Sequence, residues 1–511
     1  MLTGLNNPIS SYHISVFLLI PCKAANCPMV NNILLFLIIF QNPLDRPVTV
    51  RFIINCVKDN RKKIGGDFLQ NATAYSKPVT LKNILKFAVP TIAMSVFMSF
   101  YTMVDGLFVS NLIGTNALSA INLVYPVIAL VTAISTMLAT GGSAVIMKKM
   151  GEGKPDEAKQ DFTFLILVNV LAGLVMCGIG YLFTGKMFNA MSLTAEVSGY
   201  CKEYLNRYLL FTIPILLMNN FTLYMIAVGK ATLSLICSVA GGVTNITMDY
   251  LFIAVFHWGI GGAAIATGLG YSITTIVGLF VFTKRNSLLH FMKPVCRFKV
   301  LANAVTNGCS EMAAALVNGI VTLMFNWAML KYVGESGVAA ITIISYVLTF
   351  VGSLYAGYTY GVAPMISFYY GEQNHQKLKK LIRTSLKIVG SIAAVTVIVS
   401  LIVTEPLVSV FTHPGNPVYD LAVVGNRICS LALLFVGFNI FASGMFTALS
   451  NGIISAVLAF SRTFVFTVIA MLILPALLGV TGIWLATPIA EFMAIILSAA
   501  MFLKHKKRYH Y

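Results

Sequence analysis

Four acidic side chains carry the chemistry that the sequence offers: Asp105, Asp249, Glu311 and Glu491 all fall inside long apolar runs, while the other acids of the 17 in the chain lie in predicted loops, helix ends or the N-terminal extension. A carboxylate in hydrocarbon costs at least about 2.5 kcal/mol, so each of the four is a functional candidate by default. Asp249 follows Asn245 by four residues, which places carboxyl and amide on one helical face. Desolvation moves a buried Asp toward neutral-pH titration, and an Asn beside it can hydrogen-bond either protonation form. Such a pair can hold and release one proton, or contribute oxygens to a sodium ion. Asp105 sits in the stretch Tyr101 to Ser110, toward the outer end of the first predicted span. The competing expectation for all four acids is a hydrogen bond that only joins neighbouring helices. For Glu491 it is the preferred one: an ion pair with Arg462 across the last two spans.

Other chemistries are excluded by what is missing. Gly153-Lys154, Gly185-Lys186 and Gly229-Lys230 lack the remainder of a phosphate-binding loop, so direct ATP hydrolysis is not expected. The seven histidines fall in predicted loops or termini, and the nine cysteines show no paired spacing, so neither a metal centre nor a disulfide framework is predicted. No cofactor is called for beyond H+ or Na+ as a coupling ion, and no catalytic residue, so the chain is not expected to be an enzyme.

The elements that must position these acids follow from composition. Of 511 residues, 58% are hydrophobic and only 10% charged, against about 25% charged in soluble domains. Twelve apolar runs long enough to cross a bilayer are expected at about 84–110, 117–147, 162–184, 203–228, 232–256, 260–283, 304–331, 338–370, 381–404, 423–448, 454–477 and 482–503. The formal charge of +18 comes from 35 Lys+Arg against 17 Asp+Glu. In a soluble protein that would suggest nucleic acid; here it resolves into loops. Lys148, Lys149, Lys154 and Lys159 follow the second span, Lys284, Arg285, Lys293, Arg297 and Lys299 the sixth, and Lys377, Lys379, Lys380 and Arg383 the eighth. Loops after spans one, five, nine and eleven have no Lys or Arg, so the positive-inside rule places both termini in the cytoplasm.

Self-comparison gives one register, an offset of 220 residues. It superposes Gly141 on Gly361, Gly151-Glu152 on Gly371-Glu372, Asn206-Arg207 on Asn426-Arg427, Asn219 on Asn439 and Ala266-Thr267 on Ala486-Thr487. Six spans per repeat is an even number, so the repeats enter the membrane in the same sense and are related by an axis along its normal. The expected fold is therefore an all-α polytopic membrane protein of twelve helices in two parallel six-helix repeats around a central cavity. Its divisions are an N-terminal extension over 1–80, disordered or interfacial and without a secretory leader, an N-lobe over 81–285, a linker over 286–300, a C-lobe over 301–505 and a basic tail over 506–511. The Arg207 and Arg427 side chains, equivalent in the two repeats, are expected near a membrane face in structural roles.

Pro90, the segment MVDGLFVSNLIG around Asp105, NITMD at Asn245 to Asp249, GGAAIAT ending at Thr267, and the GEG and GEQ turns after spans two and eight resemble the MATE (multidrug and toxic compound extrusion) family over about residues 80–505. The resemblance implies an antiporter of the plasma (inner) membrane that exports small organic cations or amphipathic drugs in exchange for H+ or Na+. It implies cation coupling at Asp105, Asn245, Asp249 and Thr267, where any Na+ would also sit, and a first helix that bends at Pro90. Tyr101, Tyr204, Asn219, Met225 and Glu311 are the expected cavity residues. Glu311 resembles a seventh-span glutamate of other branches, whereas the tenth span has Asn439 where those branches have an acid. The expected partners are the substrate and the lipid bilayer, with the chain a monomer and no nucleic acid bound. A lipid-linked oligosaccharide flippase of the same superfamily is the alternative.

Overall fold

In the computed structural model the described residues are Tyr75 and 77–511 except 113–114, 191–192 and 286, and the side chains of 102–116, 118 and 190 also lie outside the description. The expectation for the N-terminal extension therefore falls almost wholly outside the described residues. Every regular element among those described is helical. Eleven runs are long and apolar enough to cross a bilayer, and a bent pair makes a twelfth. In order they are Leu81–Leu112, Thr115–Gly151, Pro155–Ala190, the pair Ala195–Leu209 and Thr212–Ala227, Ala231–Val255, Gly259–Thr283, Phe298–Tyr332, Glu335–Gly371, His375–Ser409, Pro417–Ala448, Gly452–Leu478 and Val480–Tyr509.

Most helices extend beyond the apolar stretch that defines them. Polar residues close their ends, as where Asn374 and Asn451 accept backbone N–H groups at the starts of the ninth and eleventh spans. The fourth span breaks by 54° at Leu210–Phe211, and the tenth tightens into a 3₁₀ turn at Ser430–Ala432, the equivalent place one repeat later. Pro214 marks the first break, since it cannot donate to the Leu210 carbonyl one turn back, whereas Leu434 stands at the equivalent place of the second repeat and leaves that break without a sign in the sequence. Two π-helical stretches, Tyr250–Val255 and Ser461–Val465, interrupt the fifth and eleventh spans. The first helix continues through Pro90, which cannot donate to the carbonyl one turn back.

The two-fold relation of the repeats is visible in their contacts. Gly151 lies against the Phe368 carbonyl, and Gly371 lies against the Lys148 carbonyl, the same contact with the repeats exchanged. Likewise Gly141 abuts Ala304 and Gly308 of the seventh span, while Gly361 abuts Ala88 and Thr91 of the first. A Cβ at any of these glycines would collide with a neighbouring backbone or side chain, so Gly is what permits the approach. Spans one and eight, and two and seven, thus join the halves at the end that carries the basic loops.

That end is reinforced by side chains. The Tyr75 hydroxyl donates to the Ala227 carbonyl, its ring stacks on Phe368, and Tyr369 donates to its backbone carbonyl at 3.2 Å. Burial pushes the Tyr75 phenol well above its ordinary pKa, so it remains a donor. Buried Asp161 pairs with Lys149 and, at 3.1 Å, with Arg297, tying the connection between the halves to the third span. Tyr509 at the end of the last helix is buried and accepts from Asn451 at 2.7 Å.

Candidate functional site

The fifth and sixth spans approach closely because Gly241 and Gly270 face each other: a Cβ on either would come within 2.8 Å of the other's carbonyl oxygen. One turn beyond Gly241, this contact sets Asn245 opposite Thr267. The Asn245 Nδ2 donates to Thr267 Oγ1 at 3.3 Å, and Thr267 Oγ1 donates to the Ala263 carbonyl at 3.0 Å. Asn245 and Asp249 are completely buried and Thr267 nearly so. Among the described residues the Asn245 Oδ1 has no hydrogen-bond partner. A buried amide oxygen left this way costs free energy unless a proton donor or cation meets it. Asp249 closes the regular helix immediately before the π-helical Tyr250–Val255, an irregularity common where a span must present side chains inward.

The first span covers this pair. Gly242 takes the rings of Phe97 and Tyr101 against its bare Cα, and Tyr101 is buried. Asp105 stands one turn beyond Tyr101 on the same helix; its side chain lies outside the described residues. Of the four residues expected to couple a cation, the structure joins Asn245 to Thr267 by a hydrogen bond and places buried Asp249 one turn beyond Asn245 on the fifth span.

The expected cavity residues separate into different places. Glu311 lines a small pocket of about 40 Å³ between the halves, with Thr140, Ser143 and Leu223 from the first half and Tyr360 and Thr447 from the second. Tyr360 donates to Glu311 at 3.5 Å, a long contact. Met225 is fully buried in a helix core with Phe162 and Tyr224, and Tyr204 is buried against Tyr208. Asn219 donates to Ser135 at 3.0 Å. None of Tyr101, Tyr204, Asn219 and Met225 lines the Glu311 pocket. A wider groove of about 910 Å³, lined by Leu323, Trp327, Thr342, Tyr346 and Phe411, opens at the far end of the second half from the basic loops.

The sequence reading missed the buried amide pair Asn169–Asn220, which exchange hydrogen bonds at 2.8 and 3.3 Å, and the Tyr360 contact to Glu311. The signal for Asn169 and Asn220 was present, since an Asn within an apolar run must find a partner. The expected Glu491–Arg462 pair is formed, at 3.1 Å. Arg207 pairs with Glu203 at 3.0 Å and Arg427 with Glu405 at 2.6 Å.

Against this geometry the comparisons are decisive at the level of family. The MatE family matches twice, over residues 90–251 and again over 312–472. The chain belongs to the MatE family. The two matches fall one in each repeat. The chain is 24% identical over 429 residues to the multidrug export protein MepA of Staphylococcus haemolyticus, covering 84% of this chain and 94% of that one. It is 22% identical over 438 residues to MepA of Staphylococcus aureus strain MRSA252, covering 85% and 95%. Among solved structures, a MATE crystallised in complex with MaL6 superposes with a TM-score of 0.80 at 23% identity, covering 86% of this chain and 98% of that one. An outward-facing multidrug resistance MATE transporter of the MOP superfamily gives 0.78 at 23% identity, covering 86% and 97%. A MOP superfamily transporter from Pyrococcus furiosus, described by the reverse polarity of its binding pocket, gives 0.78 at 22% identity, covering 86% and 97%. This MatE protein is thus a multi-pass membrane transporter with the MATE fold.

Proposed function

We propose that the protein is a secondary antiporter of the plasma membrane, with both termini cytoplasmic, that exports amphipathic and cationic organic compounds in exchange for H+ or Na+. The observation that carries the coupling reading is the buried set Asn245, Asp249 and Thr267, held where the fifth and sixth spans meet over facing glycines. Its oxygens suit a proton or a sodium ion, and Asp105, one turn beyond Tyr101, completes the set in this reading. The relatives named as multidrug export proteins support the substrate class.

Alternating access accounts for the asymmetry of the two ends. The glycine contacts and Tyr75 close the end bearing the basic loops, which corresponds to an outward-facing state. Cation arrival at Asp249 and drug binding then compete through one conformational equilibrium, each favouring a different state. Exchange of one H+ for one monovalent organic cation is electroneutral. A pH difference of one unit then supports about a tenfold drug ratio whatever the membrane potential.

The flippase alternative lacks a free cationic surface: the three arginines of the spans, Arg207, Arg427 and Arg462, are each paired with a glutamate. The test is gradient-driven drug transport in reconstituted vesicles. Asp249→Asn is expected to abolish transport at unchanged protein yield, and undiminished transport would overturn the coupling assignment. Transport on a pH difference with sodium absent assigns H+, and its loss there with recovery on a sodium gradient assigns Na+.

A further inference from the structure

Both halves contain a buried acid near an amide that is hydrogen-bonded to a hydroxyl, across their last two spans or the helix beside them. In the first half these are Asp249, Asn245 and Thr267. In the second they are Glu491, Asn439 and Ser498, which the sequence repeat does not align with the first set. Asn439 Nδ2 donates to Glu491 Oε2 at 2.7 Å and to the Glu491 backbone carbonyl at 3.0 Å, and Ser498 donates to Asn439 Oδ1 at 3.0 Å. Glu491, Asn439 and Ser498 are all buried.

The difference is Arg462. Its Nε stands 3.1 Å from Glu491 Oε1, an ion pair by proximity in which the Nε–H makes no hydrogen bond among the described residues, on the side of the carboxylate that Asn439 does not occupy. The π-helical turn Ser461–Val465 carries it, and that turn packs against both the seventh and the twelfth spans. From the seventh span Glu311 lies within electrostatic reach of the same guanidinium, and the tenth span contributes the uncharged Asn439. One repeat earlier the position is Gly242, where a Cβ would meet the Phe97 ring at 2.8 Å. The first half thus fills with the first span the place where the second half carries a covalently held cation.

We propose that Arg462 is a tethered counter-cation that permanently occupies the acid, amide and hydroxyl set of the second half, and so confines exchangeable cation binding to the first half. An Arg is suited to this because it does not deprotonate and its guanidinium fits a carboxylate. The number of coupling ions per transport cycle is then set by one side chain. The functional consequence rests on the Asp249 reading above; the occupancy of the Glu491 set does not.

The test counts cations bound by the purified full-length protein, as proton uptake after a pH step and as radioactive sodium at equilibrium. Arg462→Gln is expected to bind about one further H+ or Na+ per chain, because a buried carboxylate without its counter-ion must neutralise itself. Arg462→Gln combined with Glu491→Gln is expected to return to the wild-type count, and Arg462→Lys to keep it. Glu491→Gln alone, which leaves the first-half set intact, is expected to keep the wild-type count while lowering thermal stability. A folded Arg462→Gln protein with no added cation would overturn the proposal, as would loss of a wild-type cation in Glu491→Gln. That second arm decides the matter even where Arg462→Gln cannot be purified. Repeating the series on Asp249→Asn separates the two readings. Failure of the Asp249 reading shows as an unchanged count in Asp249→Asn alone, and failure of this proposal as a missing increment in either background.

Discussion

At the scale of single residues, the candidate coupling site is a problem of satisfying oxygen atoms away from water. Asn245 gives one amide hydrogen to Thr267, which leaves its own oxygen without a partner among the described residues. Thr267→Val removes the acceptor of that bond while nearly conserving shape. A hydrogen bond of this kind is worth about 1 kcal/mol net, so the cation concentration for half-maximal drug transport is expected to rise roughly 5- to 10-fold. Thr267→Ser, which keeps the hydroxyl, is expected to restore most of the difference. Equal kinetics in Thr267→Val and wild type would remove the hydroxyl from the site. Asn245→Leu is expected to act more strongly, since it deletes both the donor to Thr267 and the oxygen that would meet a cation.

At the scale of elements, small residues decide which polar groups meet. Spans five and six come together at Gly241 and Gly270, and a methyl at Gly241 would lie 2.7 Å from the Gly270 carbonyl oxygen. Gly241→Val must therefore push the two helices apart. Overpacking of this kind costs about 1–3 kcal/mol, and the melting temperature in detergent is expected to fall. Coupling should suffer with it, because the Asn245–Thr267 bond depends on the same approach. Gly352, which has open space around a Cβ, serves as the control position in the eighth span. Gly352→Val is expected to melt close to wild type, and equal melting of the two variants would show that the spans can separate without cost. The π-helical stretches act in the same way: the irregular turns at Tyr250–Val255 and Ser461–Val465 stand where Asp249 and Arg462 are placed.

At the scale of the whole molecule, the two halves meet through contacts that repeat under exchange of the halves. Gly151 with Phe368 and Gly371 with Lys148 are one contact seen twice. In an alternating-access cycle these contacts must open together. A short reducible thiol cross-link between cysteines placed at Lys148 and Tyr370, whose side chains meet across the halves beside these glycines, in a background without the native cysteines, is expected to stop transport, with recovery on reduction. Full transport by the cross-linked protein would show that this end does not open. Tyr75→Phe removes the hydroxyl that reaches Ala227 while keeping the ring on Phe368. It is expected to increase the reactivity of a cysteine probe at Ser143, in the pocket between the halves.

The sequence by itself determined the membrane class, the twelve spans, the two repeats and the short list of acids. Each of these is written locally, in the length of an apolar run, the placement of Lys and Arg, or an identity at a fixed offset. It also carried the Asn245–Asp249 spacing, because four residues along one helix lie on one face. Tertiary structure alone decided which polar groups meet across helices. Glu311 faces a pocket between the halves whereas Met225 is enclosed in a helix core, although both sit in apolar sequence. Likewise it took the packing of three spans to bring Asn439 and Arg462 to opposite sides of Glu491. In an apolar helix nearly every face is hydrophobic, so periodicity says little about which face turns inward. That choice is made by small residues and buried hydrogen bonds between helices far apart in the chain.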